Sequence, residues 1–171
     1  MKNMNKQNMK KVRLSVPFSY DDKIIEKSTT RTYRNVPILH PGEYSDGYSR
    51  TMCYYSKDVV KKYAMNWDEK YLDIDHDVHK VLSRIGWVEP KGWDAKQNAV
   101  VADLKILPVT QNAKDTIALI DNKLIDSVSV EMYISDSWDD EKDMQRADEI
   151  LLSGLAIVTH PADSLAKIKV A

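Results

Sequence analysis

The alternation of apolar and polar positions predicts two strands that carry the most informative residues of the chain. Residues 72–78 change character at every step, which indicates a strand with two distinct faces. One face carries Leu72, Ile74, His76 and Val78, and the other carries Asp73, Asp75 and Asp77. Residues 126–134 alternate in the same way. There Ser127, Ser129, Glu131 and Tyr133 lie opposite Val128, Val130 and Met132.

Three further apolar runs, at residues 85–88, 99–107 and 150–158, predict additional strands. The last run is apolar on both faces, as a buried strand is. Residues 15–50 are expected to be irregular with short extended pieces, because Pro37, Pro41-Gly42 and Asp46-Gly47 mark turns. Residues 135–148 are dense in charged and amide side chains, which favours an exposed loop.

Two segments have the spacing of amphipathic helices. The first is predicted from Ser56, a capping residue, to about Trp67. The second is predicted to start at a cap on Asn112, with Ile117, Ile120 and Leu124 facing inward. These helices do not alternate with strands in a βαβ pattern, so most strands are expected to pair antiparallel. The prediction is an α+β, mainly β fold: a small barrel or sandwich flanked by helices.

Composition adds limits to this fold. The 171 residues suit one globular domain, with 43% hydrophobic and 30% charged residues. A net charge of −1 gives no reason to expect specific nucleic-acid or membrane binding by the whole molecule. Residues 1–14 are basic and poor in apolar side chains, which predicts a flexible tail before a single domain at 15–171.

No apolar run approaches the roughly 18 residues of a membrane span, and the chain is expected to be soluble and intracellular. Cys53 is the single cysteine, so neither an internal disulfide nor a cysteine-based zinc site can form. No cofactor is expected.

Ser129 and His76 are the residues with the clearest potential for chemistry. A serine hydroxyl is a weak nucleophile at neutral pH and needs a neighbouring base. The alternative for Ser129 is a solvated strand residue, and Ser127 on the same face competes for any role. A histidine among apolar residues is commonly a packed core residue, and His79 competes as the base. The adjacent Asp75 and Asp77 are expected to supply negative charge to His76.

The same segment permits a metal site. Five oxygen or nitrogen ligands fall within seven residues: Asp73, Asp75, His76, Asp77 and His79. In a strand, however, the aspartates would point away from His76, so these side chains could not converge on one ion. We therefore predict that no metal is bound.

Several pieces, in order, carry a family resemblance over about residues 36–169. They are Pro41-Gly42-Glu43, Asp75-His76-Asp77, Ile85-Gly86-Trp87-Val88-Glu89, Ala102-Asp103-Leu104-Lys105-Ile106, Val128-Ser129-Val130-Glu131 and Gly154-Leu155-Ala156-Ile157-Val158-Thr159-His160-Pro161-Ala162-Asp163. This order and spacing resembles the prohead serine proteases of tailed phages, whose fold is related to the herpesvirus assembly proteases. The resemblance implies a small, mostly antiparallel β-barrel of the herpesvirus-protease type.

The resemblance also implies a catalytic set. His76 would be the general base, Ser129 the nucleophile and His160 the third member, with Asp148 and Glu149 as acidic alternatives. Many relatives carry an acidic residue where this chain has Gly154, which leaves the orienting residue open.

The activity implied is that of a serine endopeptidase acting by acyl transfer in the host cytoplasm, inside the assembling prohead. Its substrates would be scaffold and major capsid proteins and the chain itself, and self-association into a homo-oligomer is left open. The alternative is a catalytically inactive protease-like scaffold or assembly component.

Overall fold

The computed structural model describes residues 10–17, 23–25, 30–45, 51–77 and 80–159. The strands are β1 Lys10–Pro17, β2 Lys23–Ile25, β3 Arg31–Leu39, β4 Gly42–Ser45, β5 Met52–Tyr55, β6 Trp67–Ile74, β7 Gly86–Asp94, β8 Ala99–Ile106, β9 Ser127–Asp139 and β10 Met144–Val158. The helices are α1 Lys57–Lys62, α2 Gln111–Asp121 and a short 3-10 helix at Val81–Ser83. In these ranges no helix is long and apolar enough to cross a membrane.

The described strands join one sheet that curls into a half-barrel. Their order is β1-β9-β10-β6-β7-β8-β3-β2, with β5 paired to β10 and β4 paired to β5. β10 runs parallel to β5 and β6, and the other pairings are antiparallel. The predicted mainly β, mostly antiparallel α+β fold is therefore confirmed.

One apolar core fills the inner side of the sheet. Its largest fully buried side chains include Tyr33, Ile38, Leu72, Leu104, Met132 and Ile134. Both helices bury an apolar side chain in the same cluster, Val60 from α1 and Ile120 from α2. The core thus takes the predicted apolar face of β9 and the Leu72 face of β6.

The first helix begins where the sequence predicts and ends earlier. The Ser56 hydroxyl accepts a hydrogen bond from the Val59 amide at 3.3 Å, which satisfies one of the unpaired amides of the first turn. Trp67 instead begins β6, where it pairs with Leu152 of β10. Residues 63–65 form a turn, and the helical periodicity does not reveal that Trp67 pairs with a neighbouring strand.

The cap of the second helix lies two residues before the predicted one. Thr110 caps it by accepting from the Ala113 amide at 3.2 Å, and Asn112 lies inside the helix. The Asn112 side chain donates to the Leu82 carbonyl at 3.2 Å. Ile120 is buried as predicted, whereas Leu124 lies beyond the helix end and is exposed.

Two regions predicted to lack regular structure are strands. In the segment expected to be irregular with short extended pieces, β3 is a regular strand of 9 residues, and Pro37 lies within it beside a break in the register with β8. Proline has no amide hydrogen, so a strand accepts it at such a break. The predicted loop at residues 135–148 is mostly a hairpin, because β9 continues to Asp139 and β10 starts at Met144. The sequence predicted a loop here because the hairpin carries many charged side chains.

Part of the predicted N-terminal tail also belongs to the sheet. Residues 10–14 lie in β1, whose backbone pairs antiparallel with β9 along its whole length. The alternation of Val12, Leu14 and Val16 with polar residues is the strand signal that the basic composition outweighed. Residues 1–9 lie outside the described residues.

Candidate active site

A turn follows β6, and because of it the His76 side chain does not point to the side of the sheet that strand alternation predicts. β6 ends at Ile74, and Asp75 and His76 both adopt left-handed backbone conformations, with φ of 53° and 56°. Asp and His are among the residues that tolerate this region best. The Asp75 amide donates to the Ile157 carbonyl at 3.0 Å and ties the turn to β10. The predicted alternation therefore stops at Ile74, and His76 does not share the core-facing side of Leu72.

Ser129 lies in the middle of the sheet, on a buried face. β9 has β1 on one side and β10 on the other, and both of its faces are buried from Ser127 to Met132. Ser129 is 2% exposed. The alternative of a solvated strand serine is thus wrong for this structure, because the polar face of β9 is covered as fully as its apolar face. Ser127 is buried as well, and its hydroxyl donates to Asp126 at 3.0 Å.

The register of three adjacent strands brings two rows of residues onto this face. In one row Ser129 is opposite Ala156, which is opposite Asp73. In the next row Glu131 is opposite Gly154, which is opposite Tyr71. Directly opposed residues point to the same side of a sheet, and the two rows are about 7 Å apart along the strands. The central strand contributes only a methyl group and a hydrogen to this face.

Both carboxylate oxygens of Glu131 have a partner, one in its own row and one in the turn after β6. Its Oε1 lies 2.6 Å from His76 Nδ1, and its Oε2 accepts a hydrogen bond from the Tyr71 hydroxyl at 2.7 Å. Glu131 itself is fully buried. Because an ionised carboxylate only accepts hydrogen bonds, an ionised Glu131 requires the proton on Nδ1, which leaves Nε2 as the imidazole nitrogen able to accept one. Burial, reinforced by the hydrogen bond to Glu131, raises the pKa of Tyr71, so its phenol remains a donor at neutral pH.

The negative charge near His76 comes from other residues than those expected. Asp75 is exposed, and Asp77 forms an ion pair with Lys80 at 2.7 Å. Instead, Asp73 is buried on the site face, and ligand atoms of Asp73, His76 and Glu131 lie within 4.8 Å of one another. The argument that strand alternation separates Asp73 from His76 was therefore wrong. A metal ion could find three ligands here, although the proposed partner His79 lies outside the described residues.

The third catalytic member predicted by resemblance, His160, lies outside the described residues. The acidic alternatives lie elsewhere on β10. Asp148 contacts Arg146 at 3.2 Å, and Glu149 accepts from the Tyr63 hydroxyl at 3.4 Å. Glu149 is opposite Ser135, six positions along β9 from Ser129. At about 3.3 Å per residue this separates Glu149 from the site by roughly 20 Å.

Sequence reasoning did not assign a role to Glu131 or Tyr71, and it considered Asp73 only as a possible metal ligand. A signal for Glu131 was present, since the period of two puts it on the same face as Ser129, two residues away. No comparable signal existed for Tyr71, and strand alternation argued against bringing Asp73 to His76. Tyr71 and Asp73 meet Glu131 only because β10 lies between β6 and β9.

Comparison with known proteins identifies the family. The family model described as the caudovirus prohead serine protease matches residues 44–171. Among solved structures, the bacteriophage T4 capsid assembly protease is similar in fold, with a TM-score of 0.56 and 16% sequence identity. The similarity covers 90% of this chain and 99% of the T4 chain. No curated protein sequence matches significantly. Since the family model covers three quarters of its length, the chain belongs to the caudovirus prohead serine protease family.

Proposed function

We propose that this chain is the serine endopeptidase of phage head maturation, with Ser129 as nucleophile, His76 as base and Glu131 as the residue that orients His76. The observation that carries the proposal is the 2.6 Å contact between His76 Nδ1 and Glu131, two residues from Ser129 on the same face of β9. Membership of the prohead protease family supports the reaction class.

The proposed reaction is acyl transfer. His76 Nε2 takes the proton of the Ser129 hydroxyl while the oxygen bonds to the carbonyl carbon of the scissile peptide. The carbon–nitrogen bond then breaks, and the leaving amine takes the proton from His76. Water, deprotonated in turn by His76, attacks the ester. The bond between the carbonyl carbon and the Ser129 oxygen breaks, and that oxygen takes the proton back from His76. Glu131 holds the imidazole in the required tautomer and stabilises its protonated form during both steps.

The proposed substrates are scaffold and capsid proteins, together with the chain itself, inside the assembling prohead. The T4 protein of similar fold is described as a capsid assembly protease, which supports this substrate class. We propose further that the half-barrel is related to the barrel of herpesvirus assembly proteases. Superposition on such an enzyme with a TM-score below about 0.5 would contradict that relationship.

Labelling with a serine-directed phosphonate tests the proposal. Because Ser129 is almost fully buried, the assay uses protein co-expressed with scaffold as well as isolated protein. We expect stoichiometric labelling and cleavage that both disappear in Ser129→Ala. Ser127→Ala is the matched control on the same face and should retain both.

Cleavage that survives Ser129→Ala would reject the assignment. Loss in Ser127→Ala instead would move the nucleophile to that residue. Correct folding with neither labelling nor cleavage in the presence of scaffold would favour the alternative of an inactive assembly component.

A further inference from the structure

We infer that Tyr71, together with Gly154 beneath its ring, is a positioning unit that fixes the Glu131 carboxylate against His76. The inference rests on the proposed function, in which Glu131 orients the base. It concerns a residue two strands away from Ser129 that touches neither the nucleophile nor, in the proposed reaction, the substrate.

The first support is that each carboxylate oxygen of Glu131 has a different partner. Oε1 meets His76 at 2.6 Å and Oε2 meets Tyr71 at 2.7 Å. The terminal torsion of a glutamate is otherwise broad, so a carboxylate held through one oxygen can rotate. When both oxygens are hydrogen-bonded, the carboxylate cannot rotate, and Oε1 stays directed at His76. A charge-assisted hydrogen bond from a buried phenol is among the stronger hydrogen bonds in proteins, so it is suited to this task.

The second support is the space that Gly154 leaves open. Gly154 lies between Tyr71 and Glu131 in the register of the sheet, so the Tyr71 side chain must cross β10 to reach its partner. A Cβ on Gly154 would lie 2.4, 2.5 and 2.7 Å from three atoms of the Tyr71 ring. Such distances are far inside van der Waals contact, so any other residue at 154 would displace the ring. The absence of a side chain there is a requirement of the Tyr71–Glu131 hydrogen bond.

The third support is a cation that restrains the ring from the solvent side of the molecule. The guanidinium carbon of Arg84, an exposed residue, lies 3.9 Å from the centre of the Tyr71 ring. A cation stacked on an aromatic ring is attracted to it. Tyr71 is thus held by Arg84 on its ring and by Glu131 at its hydroxyl.

Tyr71→Phe tests the inference, because it keeps the ring over Gly154 and removes only the hydroxyl. We expect kcat to fall about 10- to 100-fold, the equivalent of one hydrogen bond to a charged group, with KM little changed. Tyr63→Phe is the matched control, since Tyr63 also donates to a glutamate, Glu149, far from the site. It should leave kcat unchanged.

A double-mutant cycle separates positioning from a general structural effect. If Tyr71 acts through Glu131, Tyr71→Phe should cost little further activity in a Glu131→Gln background. An equal loss in both backgrounds, or a kcat within twofold of the wild type in Tyr71→Phe, would overturn the inference while leaving the serine protease assignment intact. Cleavage that survives Ser129→Ala would instead reject the assignment itself.

Gly154→Ala provides a second test that leaves Tyr71 and Glu131 in the sequence. We expect it to lower kcat strongly in the wild type and to cost little further in a Tyr71→Ala background, where the colliding ring is gone. Equal costs in both backgrounds would contradict the role given to Gly154.

A readout that needs no catalysis completes the design. The His76 Nδ1 proton, bound to Glu131, should give an NMR resonance that shifts in Tyr71→Phe and not in Tyr63→Phe. An unchanged resonance in folded Tyr71→Phe would show that the hydroxyl does not position Glu131.

Discussion

At the scale of single residues, the site depends on stabilising carboxylate side chains that are buried away from water. An isolated buried carboxylate is strongly unfavourable, and proteins tolerate one only when hydrogen bonds or an opposite charge compensate it. Glu131 has both a phenol donor and an imidazole against it, and Asp73 adds a second buried carboxylate to the group. Such an arrangement stabilises the imidazolium that His76 becomes when it takes a proton during the reaction.

Glu131→Gln should therefore lower kcat by about 10³- to 10⁴-fold, because a neutral amide neither holds the required tautomer nor stabilises the imidazolium. Glu149→Gln is the matched control, since Glu149 also accepts from a tyrosine and lies remote from the site. The rate of the wild type should fall as pH drops below the pKa of His76, measured by cleavage of a peptide substrate. A silent Glu131→Gln together with a large loss in His160→Ala would return the orienting role to His160.

Chelation distinguishes a catalytic triad from a metal centre at the same residues. His76 Nδ1 and one oxygen of Glu131 are already joined at 2.6 Å, and the other oxygen is bound to Tyr71, which favours a hydrogen-bonded site over a metal site. We expect cleavage and melting temperature to be unchanged by EDTA. Loss of activity that zinc or manganese restores would show that Asp73, His76 and Glu131 hold an ion.

At the scale of elements, β10 controls the geometry of the site. It separates β6 from β9, and Ser153 bulges out of register immediately before Gly154. Bulges bend a strand and redirect its side chains, which explains why they recur next to active sites. The two small residues on its site face, Gly154 and Ala156, let groups from the outer strands approach each other across it.

The helix boundaries are open to test at the same scale. Thr110→Ala should reduce the free energy of unfolding by about 1 kcal/mol, since it removes the acceptor for the Ala113 amide. Asn112→Ala, the cap predicted from the sequence, should change stability by less than about 0.5 kcal/mol, because its hydrogen bond to Leu82 is exposed. Urea denaturation measures both, and the reverse order would place the cap at Asn112.

At the scale of the whole molecule, two buried tyrosines, one on β3 and one on β6, link stability to alkaline pH. Burial, and then a neighbouring carboxylate, raises the pKa of Tyr33, which donates to Asp121 at 3.1 Å. Burial and Glu131 raise the pKa of Tyr71. Both phenols therefore hold their protons more tightly in the folded protein than in the unfolded chain.

Stability should consequently be constant with respect to these groups below pH 10 and fall above it. The unfolded chain releases protons that the folded protein retains, so the free energy of unfolding decreases by up to about 1.4 kcal/mol per pH unit for each tyrosine. Urea denaturation between pH 8 and 11 should show this decline, with a shallower slope in Tyr33→Phe. An identical slope in that variant would exclude Tyr33 as a contributor.

The amino-acid sequence alone determined those features of the structure that depend on interactions between neighbouring residues. The Ser56 cap, the two faces of β9 and the core position of Leu72 follow from neighbours a few residues apart. The placement of Ser129 on the polar face of its strand is of the same kind. The family could likewise be recognised from the order of short motifs around His76 and Ser129.

The tertiary structure decided which residues meet. His76 turns toward Glu131 because Asp75 and His76 are both left-handed and the Asp75 amide is hydrogen-bonded to β10, a conformation that strand periodicity does not signal. Tyr71 and Glu131 are 60 positions apart and become partners only through the β6-β10-β9 order. In the sequence, Gly154 stands where an acidic residue was expected. The structure explains the glycine, because the Tyr71 ring fills the space that a side chain at 154 would need. Contacts of this range depend on strand order and register, which no local window of sequence contains.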